Sequence, residues 1–414
     1  MKIAVIGGGS TYTPELVDGL TRLPVGELVL MDPAADRLDL VGGLARRMFA
    51  RAGHPGRVRW TTGLDDAVEG AAAVLLQLRV GGQRARLGDE TWPLECGCVG
   101  QETTGAGGLA KALRTVPAVL RIADRARALA PEAWIIDFTN PVGIVTRALL
   151  DAGHRAVGLC NVAMGFQRLF ARLHGCDPAE LSLEHVGLNH LSWERAAWVD
   201  GEDVLPSLLA GDGRDLVDET ELSLDLMRAL GVVPSYYLRY YYAHDRVVDE
   251  QRRGPRRAEQ VLSIEERLLT MYADPELVEK PALLEERGGA YYSTAAVELL
   301  TSLLEDRGDR QVVNVRNGVT LPFLPESAVI EVPATINGTG PVPVPVRQVE
   351  PLFAGLIAHV TAYEELALAA ALHGGRTRVE AALLAHPLVG QYDLARDLTD
   401  RLLAANREHL PWVA

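Results

Sequence analysis

The chain has 414 residues, 48% of them hydrophobic, enough for two or three packed domains. Its 41 Lys and Arg against 55 Asp and Glu give a formal net charge of −14, which disfavours nucleic acid or an anionic membrane surface as the main partner. With no 18-residue uncharged apolar run, no signal-type segment after Met1 and only four scattered cysteines (Cys96, Cys98, Cys160, Cys176), the composition predicts a cytoplasmic globular protein without a disulfide framework.

In chain order, five short apolar runs read as strands: Lys2–Ile6, Glu27–Met31, Ala73–Leu78, Ala133–Phe138 and Arg155–Leu159. They alternate with stretches of helical period, among them Pro14–Leu23, Leu38–Ala52 and Val116–Ala130. This is the pattern of βαβ units. It predicts an α/β fold whose N-terminal part, residues 1–163, is a doubly wound, Rossmann-type parallel sheet that binds a dinucleotide. Beyond it the order is mixed, with helices predicted at Gly165–His174, Glu259–Ala273 and Thr294–Glu305 and strands at Ala196–Val199 and Ala328–Pro333. Pro341–Pro345 alternates Pro with Val, which suits an extended edge. Helices at Val349–Leu372, Thr377–Leu384 and Ala395–Leu403 finish a mixed α+β unit, residues 164–414, expected to carry substrate and oligomer contacts. Their apolar faces predict a homo-oligomer.

Each of the five strands is followed by residues able to do chemistry, and in an open parallel sheet the ligand crevice lies outside those carboxyl ends. After the first come Gly7, Gly8, Gly9 and Ser10, then Thr13 and a helix-starting Pro14, whose free amides suit a pyrophosphate. The Gly-x-Gly-x-x-Gly spacing is met at Gly7 and Gly9 but not at Tyr12. Asp32 follows the second strand, about 23 residues after Gly9, where a carboxylate accepts the ribose hydroxyl of NAD and repels the extra phosphate of NADP. An ordinary turn carboxylate is the bland alternative. The stretch from Arg79 to Arg86 sets three arginines, Arg79, Arg84 and Arg86, around Gly81 and Gly82, suited to a phosphate or equally to a solvated loop. Asn140 follows the fourth strand, and Cys160 with Asn161 the fifth. Gly100–Gly105 reads as a binding loop, without specificity. Cys160 and His190 are 30 residues apart with no metal-type spacing, so spacing alone favours a buried structural cysteine, and Cys96-x-Cys98 is weaker still. Tyr236 to Tyr242 and Tyr291–Tyr292 stand out in a chain with 6% aromatics, yet a core stripe explains the first group as well as catalysis does.

Taken together, Gly7-Gly8-Gly9-Ser10 with Tyr12-Thr13-Pro14-Glu15, Arg79-Val80-Gly81-Gly82, Gly100-Gln101-Glu102-Thr103, Thr139-Asn140-Pro141, Leu159-Cys160-Asn161-Val162, Leu188-Asn189-His190, Tyr237-Leu238-Arg239-Tyr240-Tyr241 and Arg287-Gly288-Gly289 resemble glycoside hydrolase family 4. These are NAD- and manganese-dependent glycosidases that stand outside the usual two-carboxylate scheme, with a fold related to the lactate/malate dehydrogenase superfamily. The resemblance implies that Cys160 and His190 ligate the divalent metal and that Tyr237 is the catalytic base. It gives Gly7, Gly9, Ser10, Thr13, Asp32 and Asn140 to the cofactor, and Asn140, Asn161, Arg86 and Arg287 to a sugar 6-phosphate. In α-specific members an Asp follows the metal-binding Cys. Here Asn161 stands in that place, which implies the 6-phospho-β-glucosidase branch. Departures are Ala163, where the family usually has Pro, and the segment Asn314-Val315-Arg316-Asn317-Gly318, where relatives carry a second Asn before the Gly.

The implied reaction oxidises the sugar at C3 with NAD, removes the C2 proton, eliminates the aglycone, adds water and re-reduces C3. Tyrosine is a poor base near pH 7 unless a cation lowers its pKa, and the metal and Arg239 are the expected sources. The rival readings are an NAD-dependent 2-hydroxy-acid dehydrogenase and a non-enzymatic NAD-sensing module.

Overall fold

The computed structural model describes residues 1–288 and 291–413. Six parallel strands lie side by side in the order β3-β2-β1-β4-β5-β6: β1 Lys2–Ile6, β2 Glu27–Met31, β3 Arg57–Thr61, β4 Ala73–Leu76, β5 Trp134–Asp137 and β6 Ala156–Gly158. Helices cover both faces, so these strands are apolar at nearly every position, and Ile3, Ala4, Val5, Leu28, Val29, Leu30 and the whole of β4 are 0% exposed. The strand order reverses between β1 and β4, opening the crevice expected of a doubly wound sheet. The edge strand β3 was not expected. Its arginines, Arg57 and Arg59, break the apolar run and leave Val58 and Trp60 facing the core.

The sheet does not stop at β6. A single register pair, Asn314 opposite Gly158, joins it to β11 Asp309–Arg316, and antiparallel pairing continues through β12 Val329–Asn337 to β7 Leu181–Leu188, β8 Leu191–Val199 and β10 Val233–Pro234. The short strands β9 Glu202–Asp203 and β13 Gly340–Pro343 pair with β8 and β12. Thus the Pro-Val segment is the extended edge anticipated, and β8 is longer than Ala196–Val199 alone. The expected division at 163/164 falls in the first turn of the helix Val162–His174, with the sheet running past it.

The helix expected from Val116 instead starts at Gly105 and runs to Leu129. Its glycines are there for proximity, not as breakers: a Cβ at Gly107 would lie 2.3 Å from the Gln101 carbonyl oxygen and 2.6 Å from that of Asp89. The C-terminal helices Pro351–His373, Arg376–Ala385 and Tyr392–Ala405 close over this long helix. Pro351–His373 is long and apolar enough to cross a membrane by length and composition, but it packs on Gly105–Leu129 and Val142–Asp151 and buries Phe353, Ile357, Tyr363 and Glu364.

Candidate active site

At the carboxyl ends of the parallel strands lies a cavity of about 850 Å³, inside the range of small-molecule sites. Gly7, Gly9 and Ser10 form one wall. Gly7 has φ +87°, and a Cβ there would meet the Gln77 carbonyl oxygen at 2.8 Å, so only glycine turns the chain here. Asp32 faces the turn. Its carboxylate accepts from the Gly9 amide at 3.2 Å and the Ala34 amide at 2.9 Å, which fixes it beside the glycines. Asn140 also lines the cavity, and its Oδ1 is buried without a protein partner among the described residues.

The walls carry Arg37, Arg79, Arg86, Lys111, Arg257 and Arg287 against the carboxylates of Asp32 and Glu265. In a chain of net charge −14 this is a local reversal of sign. Two buried carboxylates hold the cations in place. Glu102 binds Arg79, Lys111 at 2.6 Å and Arg86 at 3.2 Å, and Glu265 binds Arg287 at 3.1 Å, Arg37 at 3.2 Å and Gln83 at 2.9 Å. These contacts hold Glu102 well below the ordinary carboxylate range, with Arg79 the largest contributor against the cost of burial. Burial, with Arg79 assisting, pulls Lys111 down to about 7.

Deeper in the site, Asn189 and His190 form the two-residue turn joining β7 to β8, and His190 takes φ 63°, a left-handed conformation uncommon for a non-glycine residue. The Thr103 hydroxyl donates to Gln101 Oε1 at 3.0 Å, so its oxygen is the acceptor for His190 Nδ1–H at 3.1 Å. That leaves the lone pair on Nε2. Burial holds the ring neutral by lowering its pKa to about 4. The phenol ring of Tyr237, from the turn Tyr236–Leu238, stacks on His190 with centroids 3.5 Å apart and planes 9° apart. The Tyr237 phenol is pushed well above its ordinary range by burial and then by Cys160. Cys160, just before the helix Val162–His174, is itself raised, by burial first and Glu331 second, while the Val162 amide, Tyr292 and Asn189 act in the opposite direction. A soft sulfur and a neutral imidazole nitrogen, both tied to Tyr237, suit a transition-metal ion. No group of three or more His, Cys, Asp or Glu with metal-binding geometry occurs among the described residues, so a cation held by these two would complete its shell with ligand oxygens.

The family 4 glycosyl hydrolase model matches residues 2–176, and that for the family 4 C-terminal domain matches residues 185–389. The chain belongs to glycosyl hydrolase family 4. A probable 6-phospho-beta-glucosidase of Bacillus subtilis is 37% identical over 430 residues, covering 99% of this chain and 97% of its own length. The 6-phospho-beta glucosidase of Thermotoga maritima is 33% identical, with a TM-score of 0.92 over 99% of both chains. It has been solved with NAD and glucose-6-phosphate, and with manganese, NAD+ and glucose-6-phosphate. A 6-phospho-alpha-glucosidase from gut microorganisms, in complex with NAD and glucose-6-phosphate, is 26% identical, with a TM-score of 0.90 over 100% of this chain and 99% of its own. Lactate dehydrogenase from Cryptosporidium parvum, 15% identical, shares the fold at a TM-score of 0.56 over 90% of this chain and 98% of that one. Family and fold class are therefore as the motifs implied.

In this family 4 chain, most of the expected site residues gather at the cavity: Gly7, Gly9, Ser10, Asp32, Asn140, Tyr237, Arg86 and Arg287 line it. Cys160 and His190 lie behind Tyr237, and Asn161 caps the helix that follows Cys160. Thr13 does not line the cavity. It is 0% exposed and its hydroxyl accepts from Gln77 Nε2 at 2.7 Å, so it braces the glycine turn from beneath. Arg239 is also engaged elsewhere, paired with Glu221 and with Glu250 at 3.2 Å, and its guanidinium lies over the rings of Tyr236 and Tyr240. It is not the cation beside Tyr237. Arg86 shares the cavity lining with Tyr237, and its pKa is raised against burial by Glu102 and Glu90 first and by Tyr237 last. Arg84 is exposed, Gly289 lies outside the described residues, and all four cysteines are free thiols. The sequence reading missed Lys111, Glu265 and Tyr292 as site residues, and named Glu102 and Thr103 only within the unspecific Gly100–Gly105 loop. Tyr292, which lines the cavity and touches Cys160, was foreshadowed only by the Tyr291–Tyr292 pair.

Proposed function

We propose that this chain hydrolyses 6-phospho-β-glucosides by oxidation and elimination, with Tyr237 taking the proton from the sugar C2. The observation that carries this reading is the stack of Tyr237 on His190 beside Cys160, in the wall of the cavity that also holds the glycine turn and Asp32. Two-carboxylate hydrolysis would need an acid and a nucleophile facing one another, whereas Asp32 is held by backbone amides and Glu265 is spent on three donors. The cationic walls suit a phosphate, and relatives at 37% and 33% identity are named for 6-phospho-β-glucosides. Asn161, in place of an acidic residue, supports the β branch. In this reading residues 1–163 mainly hold the dinucleotide, and residues 164–414 bring His190, Tyr237 and Arg287 over it.

Bound NAD would supply a hydride acceptor at the sugar C3 that is restored in each turnover, and a divalent ion between Cys160 and His190 would supply Lewis acidity at the neighbouring oxygens. Asp32 orients the cofactor ribose through its fixed carboxylate. Arg86 and Arg287 hold the 6-phosphate. With C3 oxidised, C2–H is acidic, and Tyr237 removes that proton as the electron pair forms the C1–C2 double bond and expels the aglycone oxygen. Water then adds across that double bond, its hydroxyl to C1 and a proton to C2, and return of the hydride to C3 would restore both the sugar and NAD+. Burial makes the phenol a reluctant base, and in this reading Arg86, which lines the same cavity, is the cation that offsets it.

The test is release of p-nitrophenol from the β- and α-glucoside 6-phosphates and from the unphosphorylated β-glucoside, with and without NAD+, Mn2+ and a reductant. The expected result is turnover of the phosphorylated β-glycoside only when NAD+ and Mn2+ are both present, without net NADH. Preference for the α-glycoside would overturn the branch assignment, and stoichiometric NADH without nitrophenol would favour a dehydrogenase.

A further inference from the structure

Behind Cys160 and His190 lies a buried polar assembly unconnected to the cavity wall. His185 on β7 donates from Nδ1 to Glu194 Oε1 at 2.6 Å and from Nε2 to Glu331 Oε1 at 3.0 Å, linking β7, β8 and β12. His185 and Glu194 are 0% exposed and Glu331 1%. The second Glu331 oxygen accepts from Asn314 Nδ2 at 2.7 Å and Asn189 Nδ2 at 3.1 Å. The Asn189 side chain also acts on the Cys160 thiol, lowering its pKa against burial, and its backbone leads directly into His190. Among the charged groups acting on Cys160 and on His190, Glu331 is the strongest for both. One imidazolium between two carboxylates leaves the assembly with one net negative charge. A buried network of this kind is costly, more so because Glu194 Oε2 and Asn314 Oδ1 find no partner among the described residues, and the Asn189 amide links it to the turn that carries His190.

We propose that Glu331 is a positioning residue for the metal-binding pair, acting through the Asn189 amide on Cys160 and through its charge on both ligands. The proposal rests on the reading that Cys160 and His190 hold a divalent ion. The sign of the charge effect follows from balance. Binding a divalent cation to a protonated thiol and a neutral imidazole takes in two positive charges and releases one proton, so the site gains one net positive charge, and an ionised Glu331 favours that gain. The Asn189 amide stabilises the thiolate once the proton has left. Partners behind a metal ligand are commonly worth about 10–100-fold in metal affinity.

Mn2+ titration of the purified full-length chain in the presence of NAD+, by calorimetry or by loss of the free-ion paramagnetic signal, tests this without an activity assay. Glu331→Gln keeps shape and loses charge, and should bind Mn2+ about 10–100-fold more weakly, with NAD+ affinity at the wild-type value. Asn314→Ala removes a different donor to the same carboxylate. It should lower thermal stability and leave Mn2+ affinity near wild type. Wild-type Mn2+ affinity in E331Q, or an equal loss in N314A, overturns the role of Glu331. Should E331Q not fold, Asn189→Ala cuts the link instead, and unchanged Mn2+ affinity there overturns the role in the same way. Failure of the underlying reading looks different: the wild type would not bind Mn2+, or Cys160→Ala would bind it equally well.

Discussion

A phenol with its ring flat against a histidine is an unusual use of tyrosine, and Tyr237 is where the chemistry is most exposed to test. Phenylalanine would keep the stack and remove only the proton acceptor. Tyr237→Phe is expected to lower kcat by about 10²–10⁴, the usual worth of a positioned base, while NAD+ affinity measured by fluorescence titration stays the same. Unchanged turnover would move the base elsewhere. Single residues were unevenly legible in the sequence. Gly7, Gly9 and Asp32 announce themselves because their roles are local: a turn that excludes side chains and a carboxylate at the next strand end. Thr103 and Glu331 work through partners far along the chain, with His190 87 positions from Thr103 and Asn189 142 from Glu331, so spacing carries no trace of them. The one local signal was a charge inside an apolar run, Val329-Ile330-Glu331-Val332, where a strand buried on both faces should not spend a carboxylate without a partner.

Among elements, the turn between β1 and the helix Thr13–Leu20 is the least forgiving. A methyl group at Gly9 would fall 2.9 Å from Asp32 Cγ and 3.1 Å from its Oδ2, so Gly9→Ala must push the carboxylate off its amide. One lost hydrogen bond to a charged group costs about 1.5 kcal/mol or more, so NAD+ should bind at least ~10-fold more weakly in calorimetry, with the fold retained. Equal affinity would show that Asp32 does not depend on the turn. The parallel strands were readable as continuous apolar runs because helices cover both faces. β7 and β11 were not, because Glu184, His185, Asn314 and Arg316 sit in them, and a strand that carries a buried polar network has no clean two-residue alternation. The start of the helix at Gly105 was hidden for the opposite reason: its glycines resemble a loop until the backbone they approach is known.

At the scale of the whole molecule, the C-terminal helices are fastened to the catalytic half through a few buried polar contacts. Arg114 on the long helix pairs with Asp89 at 2.6 Å and bonds to Asn406, and His386 Nε2 accepts from the Gly105 amide at 3.1 Å. Burial, with His359, lowers the His386 pKa from 6.5 to about 3. The folded state thus keeps this ring neutral where the unfolded chain protonates it, so its contribution is whole above pH 6.5 and is lost as pH falls toward 3. By pH 5 this amounts to about 2 kcal/mol. Thermal unfolding should show a Tm that falls between pH 6.5 and 5, and less steeply in His386→Gln, which keeps a neutral acceptor. Parallel curves would exclude His386 as a source. On the outer face of the same helices Leu352, Leu366, Leu372 and Leu384 are exposed, and light scattering is expected to give a mass above one 44.8 kDa chain.

The most direct measurement of the whole account is the hydrogen at C2 of the sugar. Turnover of the phosphorylated β-glucoside in D2O, with NAD+ and Mn2+ present, should yield glucose 6-phosphate carrying deuterium at C2, because the proton taken by Tyr237 is replaced from solvent. Product with its original C2 hydrogen fully retained would contradict elimination, and with it the role given to Tyr237.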